Sequence, residues 1–545
     1  MAAGCNHAVY LPGDLSRRIV GDMPDGTKQP RGQSRRAMMA GMAALVPGVA
    51  LGQGTLPRPR PGDLGLAPDD GAEAAAPLRA TGETVADRSL ETVEQVFGRS
   101  RLGDVTGFMV TDLGTGRILE SHQPYRALPP ASVAKAITAV YALQALGPDH
   151  RFVTRLLATG PLRDGRIQGD LILAGGGDPA LDTDGLMGLV QAMRQAGVFG
   201  VAGRFLIHDA ALPYAPAIDP GQPDHVGYNP AVSGLNLNFN RVYFQWRRGG
   251  SDLAMLAQGQ LYAPAVHGIR IGVDDRSAPV FRYRREIGGD SWSVARAALG
   301  RDGSRWLPVR APGDYAGETF RALAFQEGVR LPDHARIDRL PQGAAEIASA
   351  PSATLAAQLR EMLKWSTNLT AEVAGLAASR KSTGQALPIP QSAEAMTQWF
   401  RRRYGLSRAR FVNHSGLTAV SEMTPAEMVQ YLDIEGQEGP LPGMMKEHQI
   451  KVQGGRGPVP GVTVRAKTGT LNFTRGLAGY ITGPGAGASG RRLAFAIFAA
   501  DLKARAGVAR EDAEDPAGSD GWIGRALGQE QALLHRWARS YAAGA

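Results

Sequence analysis

The sequence predicts a mixed α/β (α+β) protein: a body of helices and strands with a β-rich block set into it. Three observations carry this prediction. Apolar residues recur at helical spacing after Pro130 and again between Ala353 and Leu432. Short β-type runs separated by Gly, Pro and Asp clusters fill residues 155–330. The C-terminal part runs strand, turn and strand before a closing helix. With 545 residues, 43% hydrophobic and 20% charged, the chain is globular in composition and long enough to bury more than one core.

The net charge of +9 and the isoelectric point of about 9.7 are compatible with an anionic partner such as nucleic acid or a cell-wall polymer. The basic residues are scattered, with no long Lys/Arg run outside the leader, so solubility explains them and no nucleic-acid partner is expected. The ten histidines include no His-x-His or His-Glu-x-x-His pair, which leaves a histidine-based metal site without local support.

Residues 1–53 read as a leader. Ser34-Arg35-Arg36-Ala37-Met38-Met39 carries paired arginines, and the apolar run Ala37 to Leu51, broken by Pro47, is too short to span a membrane. It fits a signal-peptide core with cleavage near Gln53 and resembles a twin-arginine export signal. An amphiphilic disordered tail is the alternative. The stretch before Ser34 is long for a leader, and translation can instead begin at Met23. The only cysteine, Cys5, precedes the cut, so the mature chain would have neither a disulfide nor a thiolate site. The expected location is periplasmic, with no transmembrane helix in the mature chain and room for peripheral membrane contact. Residues 54–85, rich in Pro, Gly and Ala, read as a linker.

A short helix is expected at Leu90–Phe97, then a hairpin, Val105–Asp112 and Arg117–Ser121, around a Leu-Gly-Thr-Gly turn. Pro129 and Pro130 end it, and Val133–Leu146 reads as a buried helix. The β-rich block contributes Gly169–Ala174, Gly203–His208, Val242–Arg247 and Gly268–Val273. Gly175-Gly-Gly-Asp-Pro179 lacks the Gly-Lys-Ser/Thr ending of a phosphate loop and has proline where the helix would begin, so it reads as a tight turn. Helices follow at Asp314–Glu327, Ala353–Lys364, Thr370–Ser379, Gln391–Tyr404 and Thr424–Leu432, the last opened by Thr-Pro. Asn413–Thr418 is a turn-rich loop. Strands at Val462–Thr470, Leu477–Ile481 and Leu493–Ala499 precede a helix at Trp522–Tyr541.

Chemistry concentrates in three short motifs. Ser132 precedes Lys135 by three residues at a helix start, so the two share a face. A desolvated or cation-flanked lysine can be neutral enough to take a serine proton, and a helix N-terminus favours developing negative charge. Ser366-Thr-Asn368 lies in an inter-helix loop and Lys467-Thr-Gly469 on a strand. Singly, each has an ordinary explanation: a capped helix with a solvated lysine, a helix N-cap, an unremarked strand. Together, in this order and these contexts, they are the signature of penicillin-binding, acyl-transferring serine enzymes.

Beyond the triple, the chain resembles peptidase family S13, the D-Ala-D-Ala carboxypeptidases/endopeptidases or class C low-molecular-mass penicillin-binding proteins. The resemblance rests on the long insertion between the first and second motifs, Gly169-Asp-Leu-Ile-Leu-Ala-Gly-Gly-Gly-Asp-Pro179, Ser366-Thr-Asn-Leu-Thr-Ala-Glu372, Ser415-Gly-Leu417, and Arg465-Ala-Lys-Thr-Gly-Thr-Leu471 running into Leu477-Ala-Gly-Tyr480. It spans Leu90 to the C-terminus. It implies a transpeptidase-like core with a five-stranded antiparallel sheet between helices, formed by residues 86–155 and 335–545, and inserted β-rich subdomains at 156–334. It implies a serine hydrolase acting on peptidoglycan stem peptides and inhibited by β-lactams, without metal or organic cofactor. Ser132 would be the nucleophile, Lys135 the base and Lys467 the cation that lowers its pKa. The N–H groups of Ser132 and Thr470 would form the oxyanion hole. Ser366 would relay a proton and Asn368 bond the substrate backbone. Lys467, Thr468 and Thr470, with Gly469 between them, would hold the substrate carboxylate. Asp209 would project from the insert toward the site. Trp365 and His414 depart from the family pattern and are candidates to alter substrate preference. A β-lactamase or esterase on the same fold, or a non-catalytic cell-wall binding protein, are the alternatives; the long insertion argues against the first and the intact triple against the second.

Overall fold

The computed structural model describes residues 90–286, 289–451, 457–485 and 490–543. The leader, its cleavage site, the start at Met23, Cys5 and the linker lie outside the described residues.

A central antiparallel sheet organises the body. Its strands run in the order Lys446–His448, Thr463–Leu471, Thr474–Thr482, Arg492–Ala500, Thr106–Asp112, Ile118–His122. Five are the expected strands; the sixth is a three-residue edge strand that pairs only with Val464–Ala466. Both faces are covered, which is why Arg492–Ala500 is apolar almost throughout rather than alternating with polar residues. The period of two still sorts the side chains. Met109, Ala494, Ala496 and Phe498 pack with the helices on one face. Phe108, Val110, Leu493, Phe495 and Ile497 pack on the other, against Trp537 and Leu533 of the closing helix Ser519–Trp537.

The first helix, α1 (Val93–Ser100), starts at a Thr92/Gln95 capping box. Helix α2 (Ala134–Leu146) is buried around its whole N-terminal circumference, from Ala134 to Ala142, as a helix through a core must be. Beside it in the sequence-distant half lie α5 (Leu355–Trp365), α6 (Asn368–Thr383), α7 (Ile389–Tyr404) and α8 (Pro425–Glu438), the last opened by a Thr424/Glu427 capping box. These helices and one sheet face share a single hydrophobic cluster.

Between α2 and α5 the chain builds a five-stranded sheet in the order His334–Arg336, Phe205–His208, Leu171–Ala174, Val153–Ala158, Ala345–Pro351, and three three-stranded sheets, centred on Arg241–Arg247, Gly289–Ala295 and Arg166–Ile167. Helices α3 (Thr183–Gln195) and α4 (Pro312–Gln326) pack on the first of these. Helix α3 is not foreseen in the sequence: Gly185 and Gly188 weaken its propensity, and the signal is the Asp182 cap with Leu186, Leu189, Val190 and Met193 at helical spacing. The Gly175–Pro179 run is a loop rather than the expected tight turn, with Gly175 N–H donating to His208 O and Gly177 N–H to Gly234 O. Gly175 and Gly176 press against the backbones of Gly234 and Val153, too close for any side chain. Among the described residues no helix is long and apolar enough to cross a membrane.

Two ion pairs among the described residues tie the sheet to the closing helix, Arg536–Glu120 and the more buried Arg475–Glu530. Arg475 Nε donates to both carboxylate oxygens of Glu530 at 3.1 and 3.0 Å, with both side chains buried. Replacing Arg475 with Met strips the buried carboxylate of this cation. The expected cost is about 3–5 kcal/mol, checked by chemical denaturation.

Candidate active site

The chain leaves Pro130 through a single turn of 3-10 helix, Ala131–Val133, directly continued by α2. Ala131 stands at φ 47°, a left-handed conformation that costs a non-glycine residue about 1–3 kcal/mol. Two neighbours leave room for it. Gly416, at φ 71°, sits against the Ala131 carbonyl where no Cβ fits. Gly469, on the strand Thr463–Leu471, would place a Cβ 2.6 Å from Pro130 O and 3.0 Å from Ser132 N. The strain thus turns Ser132 to the start of α2 with the strand lying directly over its backbone N–H.

Lys135 is fully buried. Its Nζ lies 2.8 Å from Ser132 Oγ, 2.7 Å from Asn368 Oδ1 and 2.7 Å from the Ser415 carbonyl. Two of these partners are carbonyl oxygens, which only accept; the third is a hydroxyl, which can donate. A neutral amine has two hydrogens and one lone pair. Its hydrogens go to Asn368 and Ser415, and the lone pair is left facing Ser132. The electrostatics favour that neutral form: burial holds the Lys135 pKa well below the usual lysine range, and the Lys467 charge lowers it further, with Glu372 opposing.

Ser366 and Asn368 flank Thr367 where α5 passes into α6. Helix α5 ends with Ser366 at φ 61°, its N–H capping Met362 O. Helix α6 then begins at Asn368. Lys467 Nζ donates to Ser366 Oγ (3.0 Å) and to Thr468 O (2.6 Å). Asn368 Nδ2 donates to the Tyr228 carbonyl (2.8 Å), which fixes the amide so that Oδ1 faces Lys135.

The short edge strand ends before the site. His448 Nε2 meets Ala466 O at 3.0 Å, so the Ala466 polar groups face the outer edge of the strand. Backbone polar groups alternate along a strand, which puts those of Thr468 and Thr470 on the same edge, beyond the reach of Lys446–His448 and next to Ser132. The Thr470 hydroxyl accepts from Arg475 Nη1 at 2.6 Å.

The structure therefore brings together Ser132, Lys135, Ser366, Asn368, Lys467, Thr468, Gly469 and Thr470. The Asp209 carboxylate pairs with Arg336 (3.3 Å) and lies against Gly313 in the first turn of α4. The insert group that reaches the cluster is the Tyr228 carbonyl, which a sequence cannot reveal because any residue supplies a carbonyl. His414 is not in the cleft: its ring is buried between α2 and α7, bonded to Ser392 Oγ (2.7 Å), and burial pushes its pKa down to about 3. Trp365 is half exposed beside Ser366, its Nε1 donating to Glu361 (2.7 Å). In the sequence Ser415 and Glu372 stand out only as members of longer motifs, and both belong to the surroundings of Lys135.

A family model described as the D-Ala-D-Ala carboxypeptidase 3 (S13) family matches residues 90–517. The D-alanyl-D-alanine carboxypeptidase of Actinomadura sp. (strain R39) is 27% identical over 422 residues, 70% of this chain and 76% of that protein. D-alanyl-D-alanine carboxypeptidase DacB of Haemophilus influenzae is 23% identical over 421 residues, covering 73% of this chain and 85% of that one. The crystal structure of penicillin binding protein 4 (dacB) from Haemophilus influenzae superposes with a TM-score of 0.65 at 17% identity, over 83% of this chain and 100% of that chain, so the two share a fold. That protein has also been solved in complex with a β-lactam.

Gly469→Ala tests the close approach of strand and serine. The added methyl pushes the strand away from the Ser132 N–H, and a displacement of this size is expected to lower the rate of Ser132 labelling by a β-lactam probe by about 100-fold or more.

Proposed function

We infer the residue roles from the premise that the chain belongs to the D-Ala-D-Ala carboxypeptidase 3 (S13) family. It is a serine hydrolase acting on the D-Ala-D-Ala end of peptidoglycan stem peptides, and in our reading it cleaves through an acyl-enzyme on Ser132. The observation that carries this reading is the set of three oxygens around Lys135 Nζ: two carbonyls that can only accept, and the Ser132 hydroxyl at 2.8 Å.

Ser132 Oγ attacks the penultimate carbonyl carbon as its proton passes to Lys135 Nζ. The tetrahedral oxyanion lies between the N–H groups of Ser132 and Thr470, donors of a kind worth about 3–4 kcal/mol each. The C–N bond then breaks, and the proton held on Lys135 reaches the leaving amine through Ser366, which Lys467 orients. Asn368 bonds the substrate backbone. Lys467 with Thr468 and Thr470 holds the terminal carboxylate. Water, deprotonated by Lys135, releases the acyl group and regenerates the serine. A β-lactam presents a strained amide to the same geometry and acylates the same oxygen.

The reading extends to location and organisation. The substrate lies outside the cytoplasmic membrane, so the leader at 1–53 exports the enzyme to the periplasm. The catalytic body takes residues 86–155 and 335–545 and the insert 156–334, with the strands Val153–Ala158 and Ala345–Pro351 forming the two-way junction between them.

Intact-protein mass spectrometry with benzylpenicillin tests the nucleophile. The wild type is expected to carry one stable drug-derived adduct and Ser132→Ala none. Rapid loss of the drug without an adduct would instead indicate a β-lactamase, and neither adduct nor loss a non-catalytic wall binder. The pH dependence carries a second expectation. The rate of acylation needs neutral Lys135, so it rises with pH to a plateau. Because the folded-state pKa is depressed, the midpoint of that acid limb falls well below the ordinary lysine value of 10.5.

A further inference from the structure

Helix α6 carries one fully buried charged side chain, and the cleavage scheme leaves it without a task. Glu372 is fully buried, four residues after Asn368 and on the same helical face. Its Oε1 accepts the Ser415 N–H at 2.8 Å and its Oε2 the His414 N–H at 3.1 Å, and the Ser415 hydroxyl bonds the same carboxylate. Backbone N–H groups only donate, so both oxygens are held as acceptors, an arrangement that an ionised carboxylate satisfies. Burial raises the Glu372 pKa above the ordinary carboxylate value, and the Ser415 and His414 donors oppose that rise.

The clamped segment is the one that supplies the Ser415 carbonyl to Lys135. Three other bonds shape it: Thr138 Oγ1 donates to His414 O (2.6 Å), Gly416 N–H donates to Asn413 Oδ1 (2.8 Å), and Gly416 takes a positive φ. None of these carries charge. Glu372 is the charged member, and it reaches Lys135 both through the clamped backbone and through space. The groups that face the lysine are Ser132 from its own helix end, Asn368 and Glu372 from α6, Ser415 from the turn, and Lys467 from the strand. The charged ones are therefore Lys467 and Glu372, of opposite sign.

We propose that Glu372 is a positioning residue for the cleavage: it clamps the His414–Ser415 backbone whose carbonyl aims the Lys135 lone pair at Ser132, and its charge balances that of Lys467 on the same lysine. The proposal rests on the reading of Lys135 as the base. It gives the carboxylate two separable effects. Loss of the clamp lowers the rate at which the correctly protonated enzyme acylates. Loss of the charge makes Lys135 easier to deprotonate and moves the acid limb to lower pH.

The test measures benzylpenicillin acylation from acid to alkaline pH for the full chain and three variants. Glu372→Gln removes the charge and puts an amide donor against one of the two backbone donors. Its plateau rate is expected to fall by about tenfold or more, and its acid limb to move down by about one pH unit or more. Glu372→Asp keeps the charge but shortens the reach, so its plateau falls while its limb stays with the wild type. Thr138→Val loosens the same turn without touching any charge, and its limb also stays. A limb for Glu372→Gln that coincides with the wild type, or a lower melting temperature with both limb and plateau unmoved, would overturn the proposal. Should Glu372→Gln fail to fold, a wild-type plateau in Glu372→Asp overturns it alone. Lys135→Ala separates this from the underlying reading: acylation at the wild-type rate in that variant would remove lysine as the base, whatever Glu372 does.

Discussion

The site depends on how the hydrogens of one buried amine are shared out. Lys135 Nζ has three oxygen neighbours within 2.8 Å, and two of them are carbonyls that can only accept. A protonated lysine would spend its third hydrogen on Ser132 and hold the hydroxyl as an acceptor. A neutral lysine reverses that bond and becomes a base. Burial and the nearby Lys467 lower the lysine's pKa well below its usual range, toward the neutral form, so the motif functions through what surrounds it rather than through the spacing of serine and lysine alone.

Each surrounding feature is imposed by a separate part of the fold. The strand bearing Lys467 lies in a sheet covered on both faces, which fixes its height over α2. Glycine at position 469 lets that strand touch the Ser132 backbone, and glycine at 416 lets the Ser415 turn close over the strained Ala131. The amide of Asn368 is oriented by the Tyr228 carbonyl of the insert. The insert is therefore coupled to the chemistry by a backbone bond to a site residue. Further contacts tie it to the segment after the last strand: Arg510 pairs with Asp224 at 2.7 Å and Glu514 with His225 at 2.6 Å, both close in sequence to Tyr228.

Much of this arrangement is legible in the sequence. Ser132-x-x-Lys135 predicts a shared helical face, and α2 delivers it. The Leu493–Ala499 strand and its neighbours show as apolar runs, and the edges of most helices lie within a few residues of their expected places. What the sequence hides has physical reasons. Helix α3 contains two glycines that dilute its pattern. The edge strand Lys446–His448 has three residues, too few for any periodicity. Asp209 has the right charge for a cleft, but only the structure shows Arg336 holding it. His414 departs from the family pattern as a polar residue, yet it is spent on a buried bond to Ser392. Tyr228 acts through its backbone, for which side-chain identity gives no signal.

The central claim is that Lys135 is uncharged in the resting enzyme at neutral pH. The chain has only eight lysines, so their side-chain signals can be resolved and assigned by single substitution. The most direct measurement is a pH titration of lysine labelled at Cε and Nζ, followed by NMR, with Lys135→Ala to assign the signal. The account predicts that the Lys135 resonance titrates far below 10.5 and moves to higher pH when Lys467 is replaced by alanine. A Lys135 signal that titrates in the ordinary lysine range, unchanged by that replacement, would contradict it.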